Sequence, residues 1–235
     1  MLFRKQGNLK LMGKDKLKRF SELLSFENVL QPQLENLESS IKTNGEWKNI
    51  FNNENPIILE LGCGKGEYTV GLAKINTHNN YIGVDIKGSR IWRGAKTCIE
   101  KNIENVRFLR TKVDFIDLFF NNNEVAEIWL TFSDPQPKKP RKRLTSPLFI
   151  ERYKKFLKEG GIIHLKTDST LLYEYTLEQI SEKGYQLIEK SNDVYNELIQ
   201  RTTFEVKNVL EIKTFYEKMW LKEGKKIKYL SFSVS

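Results

Sequence analysis

From Ile57 onward, short continuous runs of apolar residues alternate with longer stretches in which apolar positions recur every three or four residues. The runs PIILELG, NYIGVDI, VRFLR, VAEIWLTF, IIHLKTD and YQLIEKS predict strands. Between them YTVGLAKI, GSRIWRGAKTCIEK, VDFIDLFF, SPLFIERYKKFLKEGG and LLYEYTLEQISEKG predict helices. The last two are expected to stop on glycine. After a further helix ending near Gly224, IKYLSFSVS alternates as a terminal strand and breaks the strand–helix order. Such alternation implies right-handed crossovers. The expected fold is α/β: a mostly parallel sheet with helices on both faces and a C-terminal antiparallel strand. Residues 1–50 read as a basic, partly helical N-terminal extension, and 51–235 as the main domain.

Composition narrows the class. Hydrophobic residues make up 39% of the 235, enough for a packed core. Lys and Arg outnumber Asp and Glu by 39 to 30, a net charge of +9, which points to a polyanionic partner. The cysteines, Cys63 and Cys98, have no metal-ligand or redox spacing. With only two histidines beside them, a Cys/His zinc site is not expected, and no metal is. No run is long enough to cross a bilayer and none has a signal-peptide core, so a soluble cytoplasmic protein is expected. Residues 1–20 carry seven Lys or Arg against one Asp. They read either as a solvated terminus or as an arm touching a nucleic-acid backbone.

The first strand runs into LELGCGKGEY, which sets Gly62, Gly64 and Gly66 at the turn. Glycine there lets a ligand lie against the backbone. Asp85 ends the second strand, about twenty residues on, where a carboxylate accepts hydrogen bonds from ribose hydroxyls. The spacing is G-x-G-x-G rather than the G-x-G-x-x-G of a dinucleotide site, and Glu60 lies just before it. An acid there would repel a pyrophosphate but suits a cationic ligand. The expected cofactor is therefore S-adenosylmethionine rather than NAD.

The fourth strand ends at Ser133–Asp134–Pro135, beside the expected cofactor. Lys138, Lys139, Arg141, Lys142 and Arg143 follow. A charge run is ordinarily a solvated loop. Next to a methyl donor, it is expected to hold the phosphates of a nucleic acid while Asp134 faces the reacting centre.

The segments LELGCGKG, YIGVDIKGS, FSDPQPKKPRKRLT and HLKTD, in this order and spacing, resemble the bacterial tRNA (guanine-N7)-methyltransferases over about residues 56 to 235. The resemblance implies the class I methyltransferase (Rossmann-like) fold, S-adenosylmethionine as cofactor, and methylation of N7 of a guanosine in the tRNA variable loop. It also implies cofactor-binding roles for Glu60, Gly62, Gly64, Asp85 and Asp134. Asp134 is implied as catalytic too. Lys138 and Asp168 are implied as substrate contacts, with Pro140, Arg141, Lys142, Arg143, Leu144 and Thr145 facing RNA. Of two T-x-x-E segments, Thr214–Glu217 matches the family's substrate motif by the ten residues from Thr214 to Gly224. Outside the resemblance, Thr214 reads as an ordinary N-cap and Glu217 as a helix-surface residue. Gln136 replaces the family's usual Trp. Lys112, with Asp114 two residues on, replaces an acid that binds the adenine amine.

Guanine N7 carries a lone pair and no proton, so the expected catalysis is positioning, with a carboxylate stabilising the charge that moves onto the ring. Other readings are a methyltransferase of another RNA and a non-catalytic RNA-binding module. The expected partner is tRNA, for a monomer or homodimer with no membrane association.

Overall fold

The computed structural model describes residues 17–32 and 46–234. Its strands are β1 (Val29–Leu30), β2 (Ile57–Leu61), β3 (Asn80–Val84), β4 (Val106–Leu109), β5 (Val125–Thr131), β6 (Leu157–Thr167), β7 (Gln186–Ser191) and β8 (Lys228–Ser233). The main helices are α1 (Trp47–Phe51), α2 (Glu67–Ile75), α3 (Gly88–Glu100), α4 (Pro147–Tyr153), α5 (Thr170–Lys183), α6 (Phe204–Leu210) and α7 (Phe215–Lys222). Among the described residues the strands form one sheet in the order β1-β4-β3-β2-β5-β6-β8-β7. β1 to β6 pair in parallel, and β8 is antiparallel to both β6 and β7.

Side chains alternate across a strand, so each strand feeds two cores. Leu59, Leu61, Ile82, Val84, Ile128, Leu130, Ile163 and Leu165 meet α1, α4 and α5 on one face. Ile58, Tyr81, Phe108, Trp129 and Tyr229 meet α2, α3 and α6 on the other. This is the class expected from the apolar pattern. VDFIDLFF folds in the tighter 3-10 form over Val113–Phe119. No helix among the described residues is long and apolar enough to cross a membrane.

Two details differ from the sequence reading. The helix expected to run to Gly160–Gly161 ends at Tyr153, and both glycines lie inside β6. The Glu124 and Val125 amides donate to the Phe156 carbonyl at 2.9 and 3.0 Å, so β5 captures the chain right after α4. The glycines accommodate an irregularity in the β5–β6 register instead of stopping a helix. Gly160 has φ +68°, and a Cβ on Gly161 would lie 2.6 Å from Leu157. The edge strand β1, only two residues long, carries no periodic signal. Of the expected basic arm, residues 1–16 lie outside the described residues, and 17–23 are helical. Trp47, also within the expected extension, is fully buried and donates its indole N–H to the Phe119 carbonyl at 2.8 Å.

α3 seats the glycine loop. A Cβ on Gly94 would come within 2.7 Å of both the Lys65 carbonyl and the Phe108 ring. Gly94→Ala should therefore destabilise the protein by about 1–3 kcal/mol in denaturant unfolding, although alanine is the better helix former. Unchanged or higher stability would show that this close approach is not needed.

Candidate active site

The loops that leave β2, β3, β4, β5 and β6 at their carboxyl ends line one cleft of about 780 Å³. It lies where the strand order reverses, β3 and β4 falling on one side of β2 and β5 and β6 on the other. Gly62, Asp85, Asp134, Lys142, Leu144 and Asp168, all expected site residues, line it. An adjoining space of about 100 Å³ is lined by Gly62, Gly64 and Thr214 among others. Arg90, Phe132 and Tyr216 border both.

Asp85 is the best-positioned acid. The Gly64 amide donates to its Oδ2 at 3.0 Å and the Lys87 amide to its Oδ1 at 2.7 Å, which fixes the carboxylate against the glycine loop. Gly62 and Gly64 have φ of +80° and +57°, and a Cβ on either would meet nothing within 4 Å. That open, side-chain-free backbone is what a flat ligand needs. Thr111 Oγ1 and Ser133 Oγ, both in residues that line the cleft, are buried and have no hydrogen-bond partner among the described residues. Asp85, Asp114, Asp134 and Asp168 share the lining with Arg90, Lys112 and Lys142, so the cleft offers a nucleoside both acceptors and cations.

Asp134 stands exposed on the loop after β5, its Oδ1 accepting from the Gln136 amide at 2.9 Å. The loop is bent hard: Phe132 and Gln136 have φ of +51° and +44°, unusual for residues with a Cβ. Asp168 lies 3.9 Å from the Lys225 ammonium. Lys142 reaches Asp114, 3.8 Å away, across the cleft rim.

Comparison with known proteins identifies the family. Residues 54–230 match the family described as "Putative methyltransferase". A tRNA (guanine-N(7)-)-methyltransferase of Christiangramia forsetii is 47% identical over 94% of this chain and 99% of that protein. One from Bacteroides fragilis is 48% identical over 94% of this chain and 86% of that protein. The chain belongs to the tRNA (guanine-N7)-methyltransferase family. Among solved structures, the 16S rRNA methyltransferase KamB is similar with a TM-score of 0.61 at 13% identity, over 81% of this chain and 93% of that one. At that identity the likeness speaks for the fold alone.

Several expected site residues of this family member are elsewhere than in the cleft. Glu60 is buried, with one oxygen turned to the Thr69 amide at 2.8 Å and to the Thr69 hydroxyl, and the other to the Thr131 hydroxyl. It ties β2 to α2 and to the end of β5. Burial pushes its carboxyl up to about 7, against the pull of those hydrogen bonds. Cys63, beside it in the loop, is held protonated by burial and by the nearby Glu60 and Asp85.

The expectation that Pro140 to Thr145 all face a partner is narrowed. Arg143 is buried, its Nε donating to the Pro135 carbonyl at 2.9 Å and its guanidinium lying 4.3 Å from the Tyr175 ring centre. Thr145 is buried against the Thr176 hydroxyl at 2.8 Å. These two hold the loop, because an arginine that caps a carbonyl inside the protein cannot also reach solvent. Lys138, Lys139, Pro140, Arg141 and Lys142 remain exposed, and of these only Lys142 lines the cleft.

Thr214 is the N-cap of α7, closing a capping box with Glu217. Glu217, though, is no surface residue. It is fully buried, 2.7 Å from the equally buried Lys166 ammonium and 2.7 Å from the Tyr195 hydroxyl that donates to it. Lys166 also donates to the carbonyls of Leu210 and Ile212 at 2.6 and 3.0 Å. Burial pulls its ammonium down from its ordinary range, and Glu217 opposes this. The pair locks the segment before β8 onto β6. Arg90, Phe132, Tyr216 and Trp220 were not singled out from the sequence as site residues. The positions of Phe132 at the head of FSDPQP and of Tyr216 inside the T-x-x-E segment were the hints the sequence held.

Two outcomes follow from the buried charges. Glu217→Ala leaves the buried Lys166 ammonium without its counter-charge and should cost about 3–5 kcal/mol in urea unfolding, and adding Lys166→Met should restore part of it. A loss under about 1 kcal/mol would mean the pair is not closed in solution. Below the usual carboxylate value of 4.5, Glu60 is protonated in folded and unfolded chains alike. Between there and about 7, only the unfolded chain ionises it, so wild-type stability falls as pH rises. The unfolding free energy of Glu60→Gln in urea should therefore gain on wild type from pH 5 to 7 and level off above, by on the order of 3 kcal/mol. A gap that does not change with pH would mean that Glu60 is already ionised when folded.

Proposed function

We propose that this chain transfers the methyl group of S-adenosylmethionine to N7 of a guanosine in the variable loop of tRNA. The observation that carries this is one cleft that unites Asp85, pinned to the glycine loop, with Asp134 at the root of a basic loop and Asp168 at the end of β6. The relatives that share the chain over nearly its whole length are tRNA (guanine-N(7)-)-methyltransferases, which supports tRNA as the substrate. Residues 51–235 form the catalytic domain, and 1–50 an extension whose described part packs on it.

Asp85 would hold the ribose hydroxyls of the cofactor, with Gly62 and Gly64 leaving room for the rest and Asp114 near the adenine. Glu60 acts behind this site by fixing the strand and helix that carry the loop. When bound, S-adenosylmethionine supplies a methyl group on positive sulfur, which N7 accepts with its own lone pair as sulfur keeps the electrons of the broken bond. No proton leaves, so no side chain has to act as a base. The work of the residues is alignment and charge: Asp134 stabilises the positive charge arriving on the purine, and Asp168 accepts hydrogen bonds from the N1–H and amino edge. Thr214 adds a polar contact at the rim. Lys138, Lys139, Arg141 and Lys142 hold phosphates on either side of the target. A guanine N7 inside an A-form helix is out of reach in its deep groove, so the substrate has to present an unstacked base.

The test is label transfer from S-adenosylmethionine to unmodified bulk tRNA, with the product nucleosides separated. Label in 7-methylguanosine is expected; label in another nucleoside would keep the donor and overturn the substrate atom. Asp134→Ala should lower turnover roughly 100-fold or more while the tRNA dissociation constant changes by less than about 3-fold. Equal loss of binding and turnover would count against its catalytic role.

A further inference from the structure

Three aromatic rings on α7 reach the surface near the cleft. Two have their faces taken: the Lys65 ammonium lies 4.5 Å from the Phe215 ring centre, and that of Lys225 lies 3.4 Å from the Trp220 ring centre. Tyr216 is different. It is 48% exposed, borders both the main cleft and the space along the glycine loop, and has no cation over its ring among the described residues. A large exposed aromatic at the junction of two parts of a site is costly to leave in water and well suited to a flat ligand.

The backbone that carries the ring is tied down on both sides of it. Phe215 packs edge-on against the ring, with centroids 5.6 Å apart and planes at 79°. The Phe215 amide donates to Glu67 at 2.8 Å, which ties the start of α7 to α2. One residue further on, Glu217 is locked to Lys166. A preorganised ring loses little freedom when a base stacks on it. Gln136, in the loop after Asp134, also lines the cleft and offers no aromatic ring.

We infer that Tyr216 is the stacking surface for the target base, an unpaired purine of RNA, and that it favours the base once it has become positively charged. This rests on the guanine-N7 reading. Methylation at N7 moves a full positive charge onto the purine, and an electron-rich ring holds a cation more strongly than a neutral base. Stacking on Tyr216 therefore strengthens as the transition state forms. It raises the rate of transfer rather than merely the affinity for substrate. It also makes the methylated product the tighter ligand.

The test uses the full chain with S-adenosylhomocysteine and one tRNA transcript in two forms, unmodified and methylated by the wild-type enzyme. If the wild type makes no 7-methylguanosine, the guanine-N7 reading fails at that step, and this inference with it. Otherwise the wild type should bind the methylated form roughly 3- to 30-fold tighter. Tyr216→Leu should abolish that preference and slow single-turnover transfer roughly 10- to 100-fold. Its S-adenosylhomocysteine affinity, expected within about 3-fold of wild type, reports that the cleft is still formed. Tyr216→Phe should keep both properties within about 3-fold, and Tyr216→Trp should keep or widen the preference. A Leu variant with wild-type rate and preference, or a Phe variant as impaired as Leu, would overturn the role of the ring.

Discussion

Parallel strands must all end on the same side of their sheet, and everything this protein uses for chemistry hangs from that constraint. β2 to β6 deliver the glycine loop, Asp85, Asp114, Asp134 and Asp168 to a single edge. The reversal of strand order at β2 and β5 keeps the loops on either side apart and so leaves a crevice between them. β8 adds the complementary element. Because it runs antiparallel to β6, its first residue, Lys228, lies opposite Thr167 at that same edge. The helix that precedes it is thereby brought over the cleft, carrying Thr214, Tyr216 and Trp220.

Charges inside the protein do the fastening. The Lys166–Glu217 pair joins β6 to α7, and Glu60 joins β2 to α2 and β5. Neither group meets the cleft, yet each holds an element that does. A buried pair of this kind is a weak source of stability compared with apolar packing, because both charges lose their water. Its effect is geometric: the ammonium of Lys166 satisfies two carbonyls and a carboxylate at once, which only one placement of the 210–217 segment permits.

The basic loop shows the same division between holding and reaching. Arg143 turns inward to the Pro135 carbonyl and the Tyr175 ring, and so fixes the loop that carries Asp134. Lys138, Lys139, Arg141 and Lys142 stay exposed to water, the only bases of the run placed to meet the phosphates of the proposed substrate. A run of five bases that looks uniform along the chain thus divides into one buried and four exposed members.

The strand and helix order from Ile57 onward, the class of fold and the cleft acids Asp85 and Asp134 were legible in the sequence, while Asp168 entered only through the family resemblance. They depend on local patterns: apolar periodicity, glycine at a tight turn, and an acid where a strand stops. The bounds of α4 and β6 were not, because capture of the chain by β5, rather than any local signal, ends that helix before its glycines. Nor could the sequence separate Arg143 from Arg141 or reveal that Glu217 is buried. Burial depends on which distant element lies opposite, here Tyr175 for the arginine and Lys166 for the glutamate. The motifs determined what chemistry the chain can carry; the packing of segments far apart in sequence decided which of their side chains are free to meet a ligand.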